Sequence, residues 1–199
     1  MEPEQNQTEH GHSDHHNGHR FTDIHRLRSV ERLERLEVER VIRLALTGLT
    51  VQSVVDIGTG TGVFAEEFAR RGITVTGVDV NPEMLTHARQ YVPNAGFREG
   101  AAEQLPFPDK SFDLAFLGLV LHETDDLPQA LQEAFRVARQ RAAVLEWPYQ
   151  EQEFGPGMEE RLQPEFVESL ARRAGFNKIH SIPLKALVLY LLEKSATPE

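Results

Sequence analysis

Cysteine is absent from the 199-residue sequence. Its absence excludes disulfide bonds, thiolate metal ligands and a cysteine nucleophile, and it agrees with a reducing compartment such as the cytoplasm. Long apolar runs are absent as well, because no stretch approaches the roughly 18 residues that a membrane-spanning helix needs. The amino terminus has no apolar segment of the kind found in secretion signals. We therefore expect a cytoplasmic protein that does not associate with membranes.

Basic residues are scarce relative to acidic ones. The 21 Lys and Arg are outnumbered by 31 Asp and Glu, so the formal net charge is −10. Broad nucleic-acid surfaces cluster Lys and Arg against phosphates, and this sequence predicts no nucleic-acid partner. The hydrophobic fraction of 40% is enough for the core of one domain of ordinary size. The oligomeric state stays open between monomer and homodimer.

The first 20 residues differ from the rest because they hold almost no apolar side chain after Met1. Such a segment buries too little surface to fold, so residues 1–20 are expected to form a disordered tail. Five of the nine histidines lie there: His10, His12, His15, His16 and His19. Neutral imidazoles bind zinc or nickel, which makes these five candidate metal ligands, and the alternative is a solvated tail. No metal site is expected in the rest of the chain.

The remaining sequence alternates between helical and strand-like patterns. Residues 21–50 are predicted to form a helical cap, with apolar residues at helical spacing from Ser29 to about Leu46. From 51 to 199, short apolar runs bounded by Gly and Pro alternate with amphipathic stretches. This pattern predicts a doubly wound, Rossmann-like α/β fold with a seven-stranded sheet and helices on both faces. The last two strands, joined near Pro183, are expected to form an antiparallel edge pair because their link is too short for a parallel crossover.

A glycine-rich loop, VVDIGTGTG at residues 54–62, ends the first predicted strand of this domain. Alternating glycines let a ligand approach the main chain, and the next helix offers unpaired N–H groups and the positive end of its dipole. Asp79 ends the second predicted strand, where a carboxylate can accept both hydroxyls of a ribose. The loop and the acid together predict a nucleoside-containing cofactor.

Two details of the loop separate the candidate cofactors. In the dinucleotide fingerprint, Gly-x-Gly-x-x-Gly, the third glycine would fall at Val63. Asp56 stands just before the glycines, and a negative charge there is unfavourable beside a pyrophosphate. The same charge suits a ligand that carries an ammonium group and a sulfonium cation. The loop therefore disfavours NAD.

Three longer stretches resemble the class I S-adenosylmethionine-dependent methyltransferases, in the branch that includes quinone-biosynthesis (type 11) enzymes. "VVDIGTGTGVFAEEFA" resembles the first family motif, "VTGVDVNPEMLTHAR" the second, and "GAAEQLPFPDKSFDLAFLGLVLHE" the loop and fourth strand. The resemblance implies an enzyme that uses S-adenosyl-L-methionine and methylates a small-molecule acceptor. The alternative is a cofactor-binding or metal-handling protein that uses the His-rich tail without methyltransferase turnover.

The resemblance also implies which residues bind the cofactor. Asp56 is expected at the methionine amino group, directly or through water, and Asp79 at the ribose hydroxyls. The other implied contacts come from Gly58, Thr59 and Gly60 around methionine and ribose, from Val80, Met84, Ala102 and Glu103 around adenine, and from the carbonyl group of Leu117. Ala101 stands where the branch often has an aspartate, so the acid that contacts the adenine amino group is left unassigned, with Glu103 as one candidate.

The acceptor side is predicted from two positions. His122 and Glu123 follow the fourth predicted strand, where the family commonly places residues that face the acceptor. An acceptor with an acidic proton needs a base, so these two are the candidate catalytic residues; in the alternative, His122 packs beneath a loop and Glu123 orients it. Trp147 follows the fifth predicted strand and either stacks on the acceptor or the sulfonium or completes the core.

Overall fold

The computed structural model describes residues 27–195 of the chain. The predicted tail at residues 1–20, with its five candidate metal ligands, lies outside the described residues. The first two helices named within the described residues are α1 (Val30–Leu36) and α2 (Val38–Leu46). Ser29 caps α1, because its Oγ accepts a hydrogen bond from the backbone N–H of Arg32 at 3.3 Å.

The continuous helical pattern of the sequence differs from the structure at Glu37. This residue adopts a φ of +46°, in the left-handed region, and separates α1 from α2. Its carboxylate accepts hydrogen bonds from the Arg40 guanidinium at 2.8 Å and from the backbone N–H of Lys185 at 2.9 Å. The second contact comes from the far end of the chain, so local periodicity gives no sign of the break.

Seven strands alternate with four further helices. The strands are β1 (Ser53–Ile57), β2 (Thr74–Asp79), β3 (Gly96–Glu99), β4 (Phe112–Gly118), β5 (Ala138–Glu146), β6 (Lys178–Pro183) and β7 (Val188–Glu193). The helices are α3 (Val63–Arg70), α4 (Pro82–Tyr91), α5 (Leu127–Val137) and α6 (Pro164–Ala174), with short 3-10 turns at Leu121–Glu123 and Met158–Glu160. None of the helices within residues 27–195 is both long and apolar enough to cross a membrane.

The sheet has the order β3-β2-β1-β4-β5-β7-β6. Its first five strands run parallel, and β7 is antiparallel to both β5 and β6. The predicted doubly wound sheet with an antiparallel carboxyl-terminal edge pair is therefore confirmed. The strand order reverses between β1 and β4, and ligands of such sheets bind beyond the carboxyl ends of the strands at this point.

Apolar clusters cover both faces of the sheet. Side chains of β4 alternate between them, as the two-residue period of a strand requires. Ala115 and Leu117 pack with α5 and α6, while Leu114 and Phe116 pack with α2 and α3. Because both faces of the central strands are covered, a ligand can reach these strands only at their ends.

Candidate active site

A cleft of about 410 Å³ lies beyond the carboxyl ends of β1, β2 and β4. We call it the strand-end cleft; its walls come from α1, the glycine loop and residues within the segments 79–84, 100–103 and 118–125. Eight of the ten residues expected to bind a cofactor line it, namely Gly58, Thr59, Gly60, Asp79, Val80, Met84, Ala102 and Glu103. The structure thus brings most of the predicted contacts to one cavity.

The glycine loop approaches its neighbours too closely for a side chain at Gly58. This residue has a φ of +66°, and a Cβ there would lie 2.3 Å from the Cγ2 of Val120. Gly60 also has a positive φ, +53°, and its backbone N–H donates a hydrogen bond to Oδ2 of Asp79 at 2.8 Å. The loop is therefore fixed by its backbone, which leaves the wall of the cleft without side-chain bulk.

Asp79 ends β2 on the wall of the strand-end cleft. Its Oδ1 accepts a hydrogen bond from the backbone N–H of Asn81 at 2.9 Å, and its Oδ2 accepts the one from Gly60. These two bonds orient the carboxylate, which has about four acceptor positions, at the wall of the cleft. This placement fits the expected contact with a ribose.

Two expected cofactor residues lie outside the lining of the cleft. Asp56 is 1% exposed and sits beneath the loop, where its Oδ2 accepts a hydrogen bond from the Thr59 hydroxyl at 2.7 Å. Burial raises the pKa of the Asp56 carboxyl to about 7. Leu117 has its side chain in the core, and the next three residues, 118–120, line the cleft instead. The proposed cofactor contacts of Asp56 and Leu117 stay predictions.

Glu103 lines the cleft, but its carboxylate already has partners. Its Oε1 accepts hydrogen bonds from the backbone N–H groups of Asp125 at 2.9 Å and Asp126 at 3.4 Å. These bonds fix the loop that leads into α5. Asp125 lines the same part of the cleft, and sequence reasoning did not single it out.

His122 is held by a buried carboxylate at the end of the neighbouring strand. Its Nδ1 lies 2.8 Å from Oε2 of Glu146, and its backbone N–H donates to Oε1 at 3.2 Å. Glu146 is 2% exposed and also accepts a hydrogen bond from the backbone N–H of Trp147 at 3.2 Å. The sequence places Glu146 in a stretch that resembles the acceptor-side wall of related enzymes, but its pairing with His122 was not predicted, because the two residues follow different strands.

The two predicted catalytic residues occupy different positions. Glu123 lines the strand-end cleft, whereas His122 is not among the lining residues and lies behind it. The His122 Nε2 is 3.8 Å from Oε1 of Glu123. The structure thus brings the pair together, with Glu123 nearer to the space that an acceptor would enter.

The charges of this group shift both proton affinities. Burial by itself lowers the pKa of the His122 imidazole, but the carboxylates of Glu146, Glu123 and Glu160 outweigh it, so the net pKa is raised. Burial raises the pKa of the Glu123 carboxyl, and the net shift stays upward although His122 and Arg32 oppose it. Raised proton affinities at a cleft wall are typical of groups that handle protons.

Trp147 lies at the end of β5 beneath the loop at residues 148–157. It is 7% exposed, packs near Phe154 and does not line the strand-end cleft. Gly155 lies so close that a Cβ would be 2.8 Å from the indole ring. Arg161 is 5% exposed and donates hydrogen bonds to four backbone carbonyls of this region and to the side chain of Gln152. The expected acceptor contact of Trp147 stays a prediction.

Sequence reasoning missed two residues at the opposite wall. Arg32 extends from α1 into the lining of the cleft, a position that the helical pattern of residues 21–50 did not mark. Thr61, in the glycine loop, is 2% exposed, and its hydroxyl oxygen has no hydrogen-bond partner within residues 27–195. A buried hydroxyl without a partner carries a desolvation cost, which a ligand group at this wall would relieve.

The lining as a whole fits a nucleoside with a positive charge better than a pyrophosphate. Among the described residues that line the cleft, Arg32 is the basic side chain, whereas Asp79, Glu103, Glu123 and Asp125 are acidic. Within residues 27–195 there is no group of three or more His, Asp or Glu that could hold a metal ion. The arrangement matches S-adenosylmethionine, which combines a ribose diol with an ammonium group and a sulfonium.

Comparison with known proteins gives the class. Residues 55–145 match a family described as a methyltransferase domain. A crystal structure of a SAM-dependent methyltransferase from Aquifex aeolicus superposes with a TM-score of 0.76 at 25% sequence identity, covering 85% of this chain and 96% of that one.

Two curated relatives cover a shorter part of the chain. A demethylmenaquinone methyltransferase from Chlorobaculum tepidum is 39% identical over 106 residues, which are 53% of this chain and 44% of that protein. A malonyl-acyl-carrier-protein O-methyltransferase from Serratia marcescens is 39% identical over 94 residues, which are 47% of this chain and 37% of the relative. This chain therefore spans less than half the length of these two relatives.

Fold, motifs and matches agree. The resemblance to class I S-adenosylmethionine-dependent methyltransferases of the type 11 branch, drawn from the motifs of the chain, is therefore confirmed.

Proposed function

We propose that the protein transfers a methyl group from S-adenosyl-L-methionine to a small-molecule acceptor. The observation that carries the proposal is the strand-end cleft, where a glycine loop without room for a Cβ at Gly58 meets the carboxylate of Asp79. The sulfonium of the bound cofactor supplies an activated methyl group. The protein therefore has to align the acceptor and exclude water.

The nucleoside half of the cofactor is assigned to the wall formed by β2 and the residues that follow it. Asp79 accepts hydrogen bonds from the ribose hydroxyls, and Val80 and Met84 pack on the adenine. Asp125 takes the place of the acid that Ala101 lacks, because its side chain belongs to the same wall of the cleft. Support comes from the shared lining of these residues.

The methionine half is assigned to the wall between the glycine loop and α1. Backbone groups of Gly58, Thr59 and Gly60 surround it. Arg32 and the Thr61 hydroxyl lie where they would bind its carboxylate, because a guanidinium and a partnerless hydroxyl are both suited to an anionic oxygen. Asp56 acts on the amino group through Thr59 or water, since Thr59 covers it.

The acceptor enters on the side of Glu123. The curated relatives are named for a demethylmenaquinone and for a malonyl group on a carrier protein, and both names favour a small acceptor. His122 and Glu123 serve its chemistry, and Trp147 supports the wall on this side. The net charge of −10 supports the absence of a nucleic-acid partner, and the protein is proposed to act in the cytoplasm as a monomer or homodimer.

The remaining organisation is part of the same proposal. The predicted boundaries at residues 20 and 50 are kept, with residues 51–199 as the methyltransferase domain, and residues 1–20 lie outside the described part of the chain. No observation on the described residues favours the alternative of a metal-handling protein without turnover. Deletion of residues 1–20 tests it directly, because methyl transfer and cofactor affinity are expected to survive the deletion.

The central experiment is calorimetric binding of S-adenosylmethionine and of its demethylated product, S-adenosylhomocysteine. The wild-type protein should bind both, and Asp79→Ala should weaken binding by about 10- to 150-fold, the equivalent of about 1.5–3 kcal/mol for hydrogen bonds to a charged group. Asp109→Ala, at an exposed acid outside the cleft, is the matched control. No binding by the wild type would refute the function, and unchanged affinity in Asp79→Ala would refute the ribose contact.

A further inference from the structure

A line of three ionisable side chains leads from the strand-end cleft into the protein. Glu123 lies on the wall of the cleft, His122 lies behind it at 3.8 Å, and Glu146 lies behind His122 at 2.8 Å. The exposed fraction of the side chains falls along this line, from 30% at Glu123 to 6% at His122 and 2% at Glu146. The order is that of a path from solvent to a buried charge.

Glu146 determines which ring nitrogen of His122 carries the proton in the neutral imidazole. The carboxylate of Glu146 accepts the Nδ1–H of the ring and the backbone N–H of His122. A neutral imidazole carries a proton on one nitrogen, so donation from Nδ1 leaves Nε2 as an acceptor. Within residues 27–195 the Nε2 has no hydrogen-bond partner, and it faces Glu123. Hydrogen bonds of this type are often long before the substrate is bound.

We propose that Glu123, His122 and Glu146 form a proton relay that removes a hydroxyl proton from the methyl acceptor, which makes the acceptor a phenol or an enol. This inference rests on the proposed function and goes beyond it, because it names the acceptor class and a positioning role for Glu146. Glu123 is the catalytic residue that touches the acceptor. His122 and Glu146 act through Glu123.

Methylation of a hydroxyl releases a proton, and a base at the site has to take it up. Methylation of a hydroxyl breaks the O–H bond of the acceptor and the S–CH3 bond of the donor, and it forms an O–CH3 bond. The electron pair of the S–C bond stays on sulfur, so the sulfonium loses its charge and one proton has to be taken up. Glu123 accepts that proton and passes it to the His122 Nε2, where Glu146 stabilises the imidazolium; after the product leaves, it returns to solvent through Glu123.

The charged groups around the relay set the sign of its pH dependence. His122 faces Glu146, Glu123 and, from the second 3-10 turn, Glu160. Arg32 of α1 lowers the pKa of Glu123, whereas Asp79 of β2 raises it. Because the acids raise the pKa of His122, the ring keeps a proton at low pH and the relay is blocked. The rate should rise with pH through a pKa above the usual value of histidine.

Tyr190 of β7 also lies near Glu146, and burial raises its pKa to about 12. It therefore stays neutral throughout this pH range.

His122→Asn separates the relay from a purely structural role. The Asn side chain keeps an N–H donor close to the position of Nδ1, so the bond to Glu146 and the fold should persist, but it holds no proton acceptor in place of Nε2. We expect S-adenosylhomocysteine affinity and melting temperature to match the wild type. Transfer of radiolabelled methyl to catechol and naphthohydroquinone should fall by about 100-fold or more, the scale of general acid–base catalysis.

Two glutamate variants complete the series. Glu123→Gln should lower transfer by a similar factor at unchanged cofactor affinity. Glu146→Gln should shift the rate–pH profile to lower pH, because it removes the charge that raises the pKa of His122. Exposed residues provide the controls His180→Asn and Glu165→Gln, which should change nothing. Full activity in His122→Asn, or an unmoved profile in Glu146→Gln, would leave the group with a structural role and overturn the relay.

Histidine side-chain NMR tests the proposal without any acceptor. In the protein bound to S-adenosylhomocysteine, the neutral His122 ring, assigned by its loss in His122→Asn, should carry its proton on Nδ1. A proton on Nε2 would overturn the relay. The acceptor class would be contradicted if the protein bound the cofactor but did not methylate catechol or naphthohydroquinone. Methylation of benzylamine or benzoate in place of these two hydroxyl probes would contradict it as well. Failure to bind the cofactor would instead refute the proposed function itself.

Discussion

The two ends of the strand-end cleft are held by different kinds of contact. At the proposed cofactor end, backbone groups do most of the positioning: the N–H groups of Gly60 and Asn81 fix Asp79 within the β1–α3–β2 unit and the loop that follows it. On the side proposed for the acceptor, side chains from separate elements do it: Glu146 holds His122 behind the cleft, and Arg161 holds the neighbouring loop at 148–157. A site that backbone groups position depends on the conformation of a short sequence motif. A site that side chains position can be altered by a single substitution.

The largest effect is expected at the cofactor end, from Gly58→Ala. The new Cβ would meet Val120 at 2.3 Å in a residue that already has a positive φ, so we expect a loss of about 2–4 kcal/mol in the free energy of unfolding, from strain plus overpacking. Displacement of Val120 into the cleft should also weaken S-adenosylhomocysteine binding by about tenfold or more. Denaturant unfolding and calorimetry measure the two losses.

Gly72→Ala is the matched control for this prediction. Gly72 also has a positive φ, +77°, but nothing lies within 4 Å of the position that a Cβ would take there. The substitution should therefore cost about 1 kcal/mol of backbone strain and leave cofactor affinity unchanged. Equal losses in the two variants would show that close approach at Gly58 is unimportant, and the backbone-held description of the cofactor end would be wrong.

The same contrast explains how much the sequence could predict. The doubly wound sheet and most of the predicted cofactor residues that line the cleft follow from local signals, because glycines and an acid at strand ends reach one place in such a sheet. The stretch at Glu146 was assigned to the acceptor-side wall, but its ion pair was not predicted, since the partner His122 lies at the end of another strand. The break at Glu37 was missed for the same reason, as it is held by Lys185.

Arg161→Met tests the acceptor end alone. The buried guanidinium bonds to the carbonyls of Pro148, Gln150, Phe154 and Pro156. Met fills a similar volume without donors, so these carbonyls lose their partner, at about 1–3 kcal/mol for the loop. Hydrogen exchange in residues 148–157 should quicken, and the emission of Trp147, the one tryptophan of the chain, should shift to longer wavelength as water reaches it.

Cofactor affinity should stay within about twofold of the wild type in Arg161→Met, because none of these contacts reaches the glycine loop. The exposed Arg172, on α6, provides the control Arg172→Met, which should leave exchange and emission unchanged. A loss of S-adenosylhomocysteine binding as large as that in Gly58→Ala would mean that the two ends of the cleft are coupled. An unchanged emission spectrum would mean that Arg161 does not hold the loop.

The smallest effect is expected from Arg32→Gln, which probes the basic side chain proposed to bind the methionine carboxylate. If Arg32 binds the methionine carboxylate, the variant should weaken S-adenosylhomocysteine by about 5- to 30-fold, the equivalent of about 1–2 kcal/mol for a partly exposed charge-assisted hydrogen bond. Methylthioadenosine has the same nucleoside but no amino-acid group, so its affinity should not change. Arg43→Gln, at an exposed arginine of α2 outside the cleft, controls for the loss of a charge. Equal weakening of both ligands would place Arg32 at the nucleoside or in the fold, and the cofactor end would then depend on a long-range side chain just as the acceptor end does.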